Sequence, residues 1–213
     1  MPTYVSQVTH YPAIERINAM REVLEAAVRA RQAQGRRTNL MNTAGVSHEG
    51  PIFVTTSLWG SLAEYEQAIS SGAIPPANNA AIAALQRQTQ WGELRELVVE
   101  LPPMPAGAAP RPFVHRMRFT PAPGHLPALR DLFKGRVEGM NAASDRGILS
   151  ATLTGRPQLV WTRWYESMAQ WEEARTRGLA DPAGLAFMKE TAPMMFEPPV
   201  TQLFRVLIPM PPA

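Results

Sequence analysis

The sequence predicts an α+β chain made of two tandem β-α-β-β-α-β units. Three observations carry this. A strand running straight into a helix occurs twice, as IFVTTSLWGSLAEYEQA over 52–68 and QLVWTRWYESMAQWEEA over 158–174. A Pro-rich stretch, LPPMPAGAAPRP over 101–112, lies between the copies. The order of strand-like and helix-like stretches that precedes this stretch begins again after it.

The repeat is exact enough to align. Ser167 falls on Ser61, a shift of 167 − 61 = 106, and the same shift sets Val160 on Val54, Thr162 on Thr56, Trp171 on Tyr65, Glu172 on Glu66 and Ala174 on Ala68. Each Ser is followed three residues later by Glu64 or Gln170. That is a capping box, in which hydroxyl and Glu/Gln side chain satisfy free backbone N–H groups at a helix start.

In the first unit, Tyr4 to His10 is β-like. Pro12 opens a helix with Ile14, Ile17, Met20, Leu24, Ala27 and Val28 inward, stopped by Gly35. Thr38 to Ala44 and Ile52 to Leu58 are strands around a loop at 45–50. A helix runs from Ser61 to about Gly72, another from Asn79 to Gln90, and Leu94 to Leu101 is the fourth strand.

The second unit repeats the order. Phe113 to Phe119 is a strand, and Pro123-Gly124 leads a helix with Leu126, Leu129, Leu132, Phe133, Val137 and Met140 inward. Strands follow at Gly147 to Leu153 and Leu159 to Tyr165, helices at Ser167 to Arg177 and Asp181 to Thr191, and a last strand at Val200 to Ile208. This is the ferredoxin-like unit, an antiparallel sheet with helices on one face. Two units can bury their bare faces together and enclose a barrel. The expected division is 1–101, a linker at 102–112, and 113–213.

Composition narrows the function classes. With 213 residues, 45% apolar, the chain is long enough for one large or two small cores. It has no cysteine, so neither a disulfide nor a thiolate nucleophile is available, which suits a reducing, cytoplasmic setting. No apolar run reaches membrane-spanning length, and the start lacks a signal-peptide pattern. The net charge is only +3, and the densest basic group, Arg29, Arg31, Arg36 and Arg37, ends a helix, where cations suit the dipole. Neither a nucleic-acid face nor a membrane partner is expected.

Three segments, PGHLPALRDLF at 123–133, LVWTRWYES at 159–167 and LADPAGLAFMKETAPMM at 179–195, give the second half its character. On these the chain resembles the dimeric α+β barrel superfamily, and within it the NIPSNAP type. In the first half Trp59-Gly60-Ser61 stands where Tyr-Glu-Ser would be, and Asn78-Asn79 where Asp-Pro would be, so any site is expected to be asymmetric. The resemblance implies a ligand in the barrel lumen. It also implies activities such as cofactor-independent oxygenase or cyclase chemistry, and, in some relatives, haem held by one histidine.

Strand alternation sorts the candidates. Burying a charge under helices is costly, so Arg163 is expected to face the lumen, and with it Trp161 and Tyr165. Phe53, Thr55 and Ser57 form the matching set in the first unit. On 113–119, His115 alternates with Arg116 and Arg118. The burial argument turns the arginines inward, whereas a general base favours His115. Met194 and Met195 suit a pocket for a flat greasy ligand or ordinary packing. A competing reading has Arg163 paired with a carboxylate and the aromatics filling the barrel. The histidines lack metal-ligand spacing, so no metal site is expected, and no glycine-rich phosphate loop follows a strand.

The expectation is a small cofactor-free enzyme of the oxygenase, cyclase or isomerase type acting on a hydrophobic or aromatic metabolite, in the setting of secondary metabolism. Arg163, Tyr165 and His115 would be catalytic. Trp161, Phe53, Thr55, Ser57, Arg116, Arg118, Met194 and Met195 would line the ligand. The alternatives are a haem-binding barrel using His115 and a non-catalytic binding or assembly protein. A homodimer through exposed strand edges stays open.

Overall fold

The computed structural model describes residues 3–44, 50–71, 80–100, 111–142 and 146–211. The first repeat gives β1 (Tyr4–His10), α1 (Ile17–Ala33), β2 (Thr38–Thr43), β3 (Phe53–Trp59), α2 (Leu62–Ser70), α3 (Ala80–Ala83) and β4 (Trp91–Val99). The second gives β5 (Phe113–Phe119), α4 (Leu126–Ala142), β6 (Gly147–Thr152), β7 (Leu159–Tyr165), α5 (Met168–Ala180), α6 (Pro182–Thr191) and β8 (Val200–Ile208). The strands hydrogen-bond in the order β1-β3-β2-β8-β5-β7-β6-β4 and close into a barrel. This is the α+β barrel architecture that the repeat predicts. Among the described residues, this closed order leaves no strand without a neighbour on each side.

The chain forms two compact units, Met1–Glu96 with Phe204–Ala213, and Leu97–Leu203. The end of β4 thus groups with the second repeat and the end of β8 with the first. The expected linker at 102–112 falls almost wholly outside the described residues, as does most of the loop at 45–50.

In the first unit β3 pairs antiparallel with β1 and β2, and β1 pairs with β4. The helix-covered core joins Met20, Leu24 and Val28 of α1 to Leu40, Phe53, Ile82 and Ile208. The four-residue spacing of the α1 side chains puts all three on one stripe. Ile14, expected in that stripe, is 75% exposed. The reason is that residues 14–16 form a 3-10 turn before α1 begins. The helix expected over 79–90 also shrinks, to Ala80–Ala83 among the described residues. Backbone in this region pairs elsewhere: Pro12 bridges Gln86, Ala13 N–H donates to the Leu85 carbonyl at 2.9 Å, and Arg87 N–H donates to the Tyr11 carbonyl at 2.8 Å. A strand-like pairing of this kind is incompatible with continuing the helix.

In the second unit β7 lies between β5 and β6. Leu129, Phe133 and Val137 of α4 pack on Phe119, Leu149, Ala151, Leu159 and Val99. Phe133 is the centre: its ring lies 4.3 Å from Phe119, 4.8 Å from Phe187 and 6.3 Å from Trp161. Both capping boxes form. Ser61 Oγ accepts from Glu64 N–H and Ser167 Oγ from Gln170 N–H, each at 3.1 Å, while Glu64 and Gln170 reach back to the Gly60 and Glu166 N–H groups. Asp181 caps α6 through Ala183 and Gly184 N–H, and Arg136 of α4 donates to it at 2.9 Å.

Phe133→Ala should lower unfolding stability by about 3–5 kcal/mol, because it empties a fully buried aromatic site. Ile14→Ala should change it by less than about 0.5 kcal/mol. Urea midpoints of the two variants check both.

Candidate functional site

The register of β5 against β7 decides which side chains share a face. Residues directly opposite in an antiparallel pair point the same way. His115 is opposite Arg163, Met117 opposite Trp161, Phe113 opposite Tyr165 and Phe119 opposite Leu159. Phe119, Leu159 and Trp161 pack on α4, so this whole set lies on the helix-covered face. Arg116 and Arg118, with Val114, Val160 and Thr162, lie on the helix-free face.

This corrects the expected orientation. Arg163, Trp161 and Tyr165 do not share a face with Arg116 and Arg118. They turn toward the helices, because Leu159 and Trp161 belong to the same alternating set and their apolar burial outweighs the cost of taking Arg163 along. That cost is moderated in two ways. Arg163 is only half-buried. Its guanidinium also sits over two rings, 5.6 Å from Trp161 and 5.3 Å from Tyr165. Such cation–π contacts stabilise a partly desolvated cation by about 0.5–2 kcal/mol each.

The helix-covered face therefore assembles Arg163, Tyr165, His115 and Trp161. It adds one residue that the sequence reading passed over as a site residue, Trp171 of α5. Its ring lies 6.1 Å from His115, and that of Tyr165 lies 6.5 Å from His115 on the same face. The signal for Trp171 was present in the repeat, since it is the counterpart of Tyr65. His115, Trp161, Arg163 and Trp171 are all half-buried, so the cluster is partly open to solvent, whereas Tyr165 is buried.

Gly147 shapes one wall. It pairs with Arg163, and a β-carbon added there would come within 2.9 Å of Trp161 Nε1 and 3.3 Å of Arg163 Cγ. Asn141 fixes this glycine by donating to its carbonyl at 2.9 Å and accepting from its N–H at 2.7 Å.

The electrostatics leave His115 neutral. Burial, and then the Arg163 charge, lower its pKa from 6.5 to about 4. A neutral imidazole beside a fixed guanidinium can accept a proton while the cation stabilises the anion left behind.

The corresponding face of the first unit is closed by its own hydrogen bonds. Trp59 donates its indole N–H to Ser6 Oγ at 2.8 Å and meets the Tyr65 ring at 5.5 Å. Ser57 and Thr38 share a hydroxyl hydrogen bond at 2.7 Å. Thr55 contacts His10 Nε2 at 3.4 Å, and Phe53 is in the core. Phe53, Thr55 and Ser57 are thus used in packing and hydrogen bonding. Met194 and Met195 pack at the margin of the second core, where Met195 bridges Pro121. His125 is exposed, and His48 lies outside the described residues. Among the described residues, no three His, Cys, Asp or Glu side chains group as metal ligands, and no helix is long and apolar enough to cross a membrane.

No protein-family description matches the chain, and no curated protein matches its sequence. Solved structures do match. A protein from Fusobacterium nucleatum described as a candidate monooxygenase superposes with a TM-score of 0.73 at 8% identity, over 97% of this chain and 93% of that one. An anthrone oxidase-like protein gives 0.70 at 12% identity, over 97% and 92%. A haem-binding protein from Thermus thermophilus gives 0.54 at 12% identity, over 97% and 92%. At these identities the likeness shows the fold, an α+β barrel shared by monooxygenase-like and haem-binding proteins.

Haem-binding proteins are among the structures that share this fold, and an axial histidine needs one nitrogen open to a broad porphyrin disc. His115 is half-buried, with the Trp171 and Tyr165 ring centroids 6.1 and 6.5 Å away and the Arg163 cation acting on it. Titrating wild type and His115→Ala with haem separates ligation by this histidine, where the Soret shift is lost in the variant, from a cluster that works without haem.

His10 and His115 make stability pH-dependent. The pKa of His10 is also lowered from 6.5 to about 4, by burial first and then by Arg31, partly offset by a side-chain hydrogen bond with Gln90. The unfolded chain protonates near 6.5 and the folded one near 4, so protons bind preferentially to the unfolded state in that window. Stability should fall as pH drops from 6.5 toward 4, by about 1.4 kcal/mol per histidine per unit. Urea midpoints across that range check it, and a His10→Gln, His115→Gln variant should show a flatter profile. In the first unit, Ser6→Ala should cost about 1–3 kcal/mol by leaving the buried Trp59 N–H unsatisfied.

Proposed function

We propose that this protein is a small oxygenase-type enzyme that acts, without a bound cofactor, on a planar phenolic or otherwise acidic aromatic metabolite. One observation carries the reading: a neutral, partly open His115 lies directly opposite Arg163, whose guanidinium is held by the Trp161 and Tyr165 rings. The monooxygenase-like and anthrone oxidase-like neighbours support the reaction class. The site proposed is the helix-covered face of the second unit, in place of the lumen.

In this reading the aromatic ring of the substrate stacks among Trp161, Trp171 and Tyr165. His115 takes the acidic proton, and Arg163 stabilises the oxyanion that forms. Deprotonation makes the ring electron-rich enough to pass an electron to dioxygen, which is the co-substrate and oxidant. For an anthrone the balance is substrate plus O2 giving the quinone plus water: both methylene hydrogens leave in the water, one oxygen atom enters the carbonyl and the other is reduced. Tyr165, whose ring lies 6.5 Å from that of His115, is the proton donor assigned to the reduced oxygen in this reading.

We extend the reading to a cytoplasmic enzyme of secondary metabolism whose second half is kin to the NIPSNAP type. Its support is the three segments at 123–133, 159–167 and 179–195.

The test is oxygen uptake and product mass with 1,8-dihydroxyanthrone. Arg163→Ala and His115→Ala should each lower turnover by about 10²–10⁴-fold with an unchanged circular dichroism spectrum. Wild-type turnover in Arg163→Ala would sink the assignment.

A further inference from the structure

The two repeats hold their second helices differently. On α2, Ala68 is fully buried against its sheet. Its counterpart on α5, Ala174, is only half-buried, and no residue of α5 is buried at all. By contrast α4, in the same unit, buries Leu129, Phe133 and Val137 completely. A helix without buried side chains has little packing energy to hold it down, since tertiary stabilisation comes chiefly from the buried apolar face.

What α5 does have is internal rigidity. Its N-terminal hydrogen bonds, Gln170 N–H to Ser167 and Glu166 N–H to Gln170, are local to its own first turn. Its tie to α4 is at the far end, where Arg136 reaches Asp181. The helix can thus move as one body about that end without losing its caps. On the inner side it carries a single aromatic residue, Trp171, against His115.

We propose that α5 is a movable cover over the His115–Arg163 cluster, and that Trp171 is the wall that sets how large an aromatic ligand reaches His115. The size-selecting role rests on the aromatic-ligand reading above; the mobility of α5 does not. Trp171 is a specificity-determining residue in this arrangement and takes no part in proton transfer. Phe and Tyr substitutions keep a ring and shorten the wall by degrees, whereas Ala removes it.

Two measurements on the full-length protein test this. Hydrogen exchange followed by mass spectrometry, without ligand, should show amides of α5 exchanging at least about tenfold faster than those of α4 and α2, as expected for an element at the low-stability end. Equal protection of α5 and α4 would overturn the cover. Equilibrium dialysis with 1-naphthol, 1,8-dihydroxyanthrone and 1-hydroxypyrene should show Trp171→Ala raising affinity for 1-hydroxypyrene relative to 1-naphthol by about tenfold or more, the scale on which pocket size discriminates. Trp171→Phe should lie between. An equal change for all three ligands would overturn the wall. The failures separate from those of the proposed reaction. Absent turnover alongside a size-dependent shift leaves Trp171 in place and removes the chemistry. Normal turnover with a uniform shift does the reverse. Failure of both proteins to bind any of the three removes the aromatic site and the wall with it.

Discussion

The second unit depends on the packing of Phe133 between Phe119, Phe187 and Trp161. That contact fixes which face of β5 and β7 lies under the helices. Once Phe119 and Trp161 are committed to α4, the alternation of a strand leaves no choice for the residues two positions away. His115 follows Phe119 through Met117, and Arg163 follows Trp161. The chemistry of the site is therefore a consequence of core packing: a histidine and an arginine meet because two apolar neighbours had to be buried. The same coupling explains why His115 is neutral, since the burial that places it also penalises its charge.

The sequence made the architecture legible because repeats and caps are local signals. The two Ser-x-x-Glu/Gln boxes named both helix starts to the residue, and both form reciprocal hydrogen bonds. Strand positions followed from period-two patterns and Gly/Pro punctuation. Less legible was the face each strand presents. The expectation weighed one side chain, Arg163, against burial, when the decision belonged to the set. Leu159, Trp161 and Tyr165 together remove far more apolar surface from water than desolvating a half-exposed guanidinium costs. The partner strand held the missing constraint, because His115 and Arg163 sit opposite each other and so Arg116 and Arg163 cannot share a face. Ile14 and the stretch after Ala83 failed for a different reason: backbone pairing between residues 11–13 and 85–87 is non-local and leaves no trace in helical periodicity.

The two repeats show how one scaffold diverges toward packing in one copy and toward an open cluster in the other. Where the second unit has His115 and Arg163, the first has Ser6 and Ser57, and these small hydroxyls bond to Trp59 and Thr38. Short side chains close that face with satisfied hydrogen bonds. Long, charged and aromatic ones in the second unit stay half-buried on the corresponding face. The asymmetry predicted from the loss of Tyr-Glu-Ser in the first half thus has a physical basis in side-chain reach.

The assignment of the end of β8 to the first unit has a consequence for synthesis. Leu40 and Met41 of β2 wait for Ile208 and Val206, and Ile208 is part of the first unit's core. The ribosome makes those residues long after β2. The amino-terminal core therefore cannot be completed before β8 has been made, although most of its strands and α1 emerge early. Closing a contact across so long a stretch of sequence is entropically slow. The nascent chain must carry a sheet with one side unfilled until β8 emerges, which makes the late-arriving strand, rather than the early helices, the step that commits the molecule to its folded form.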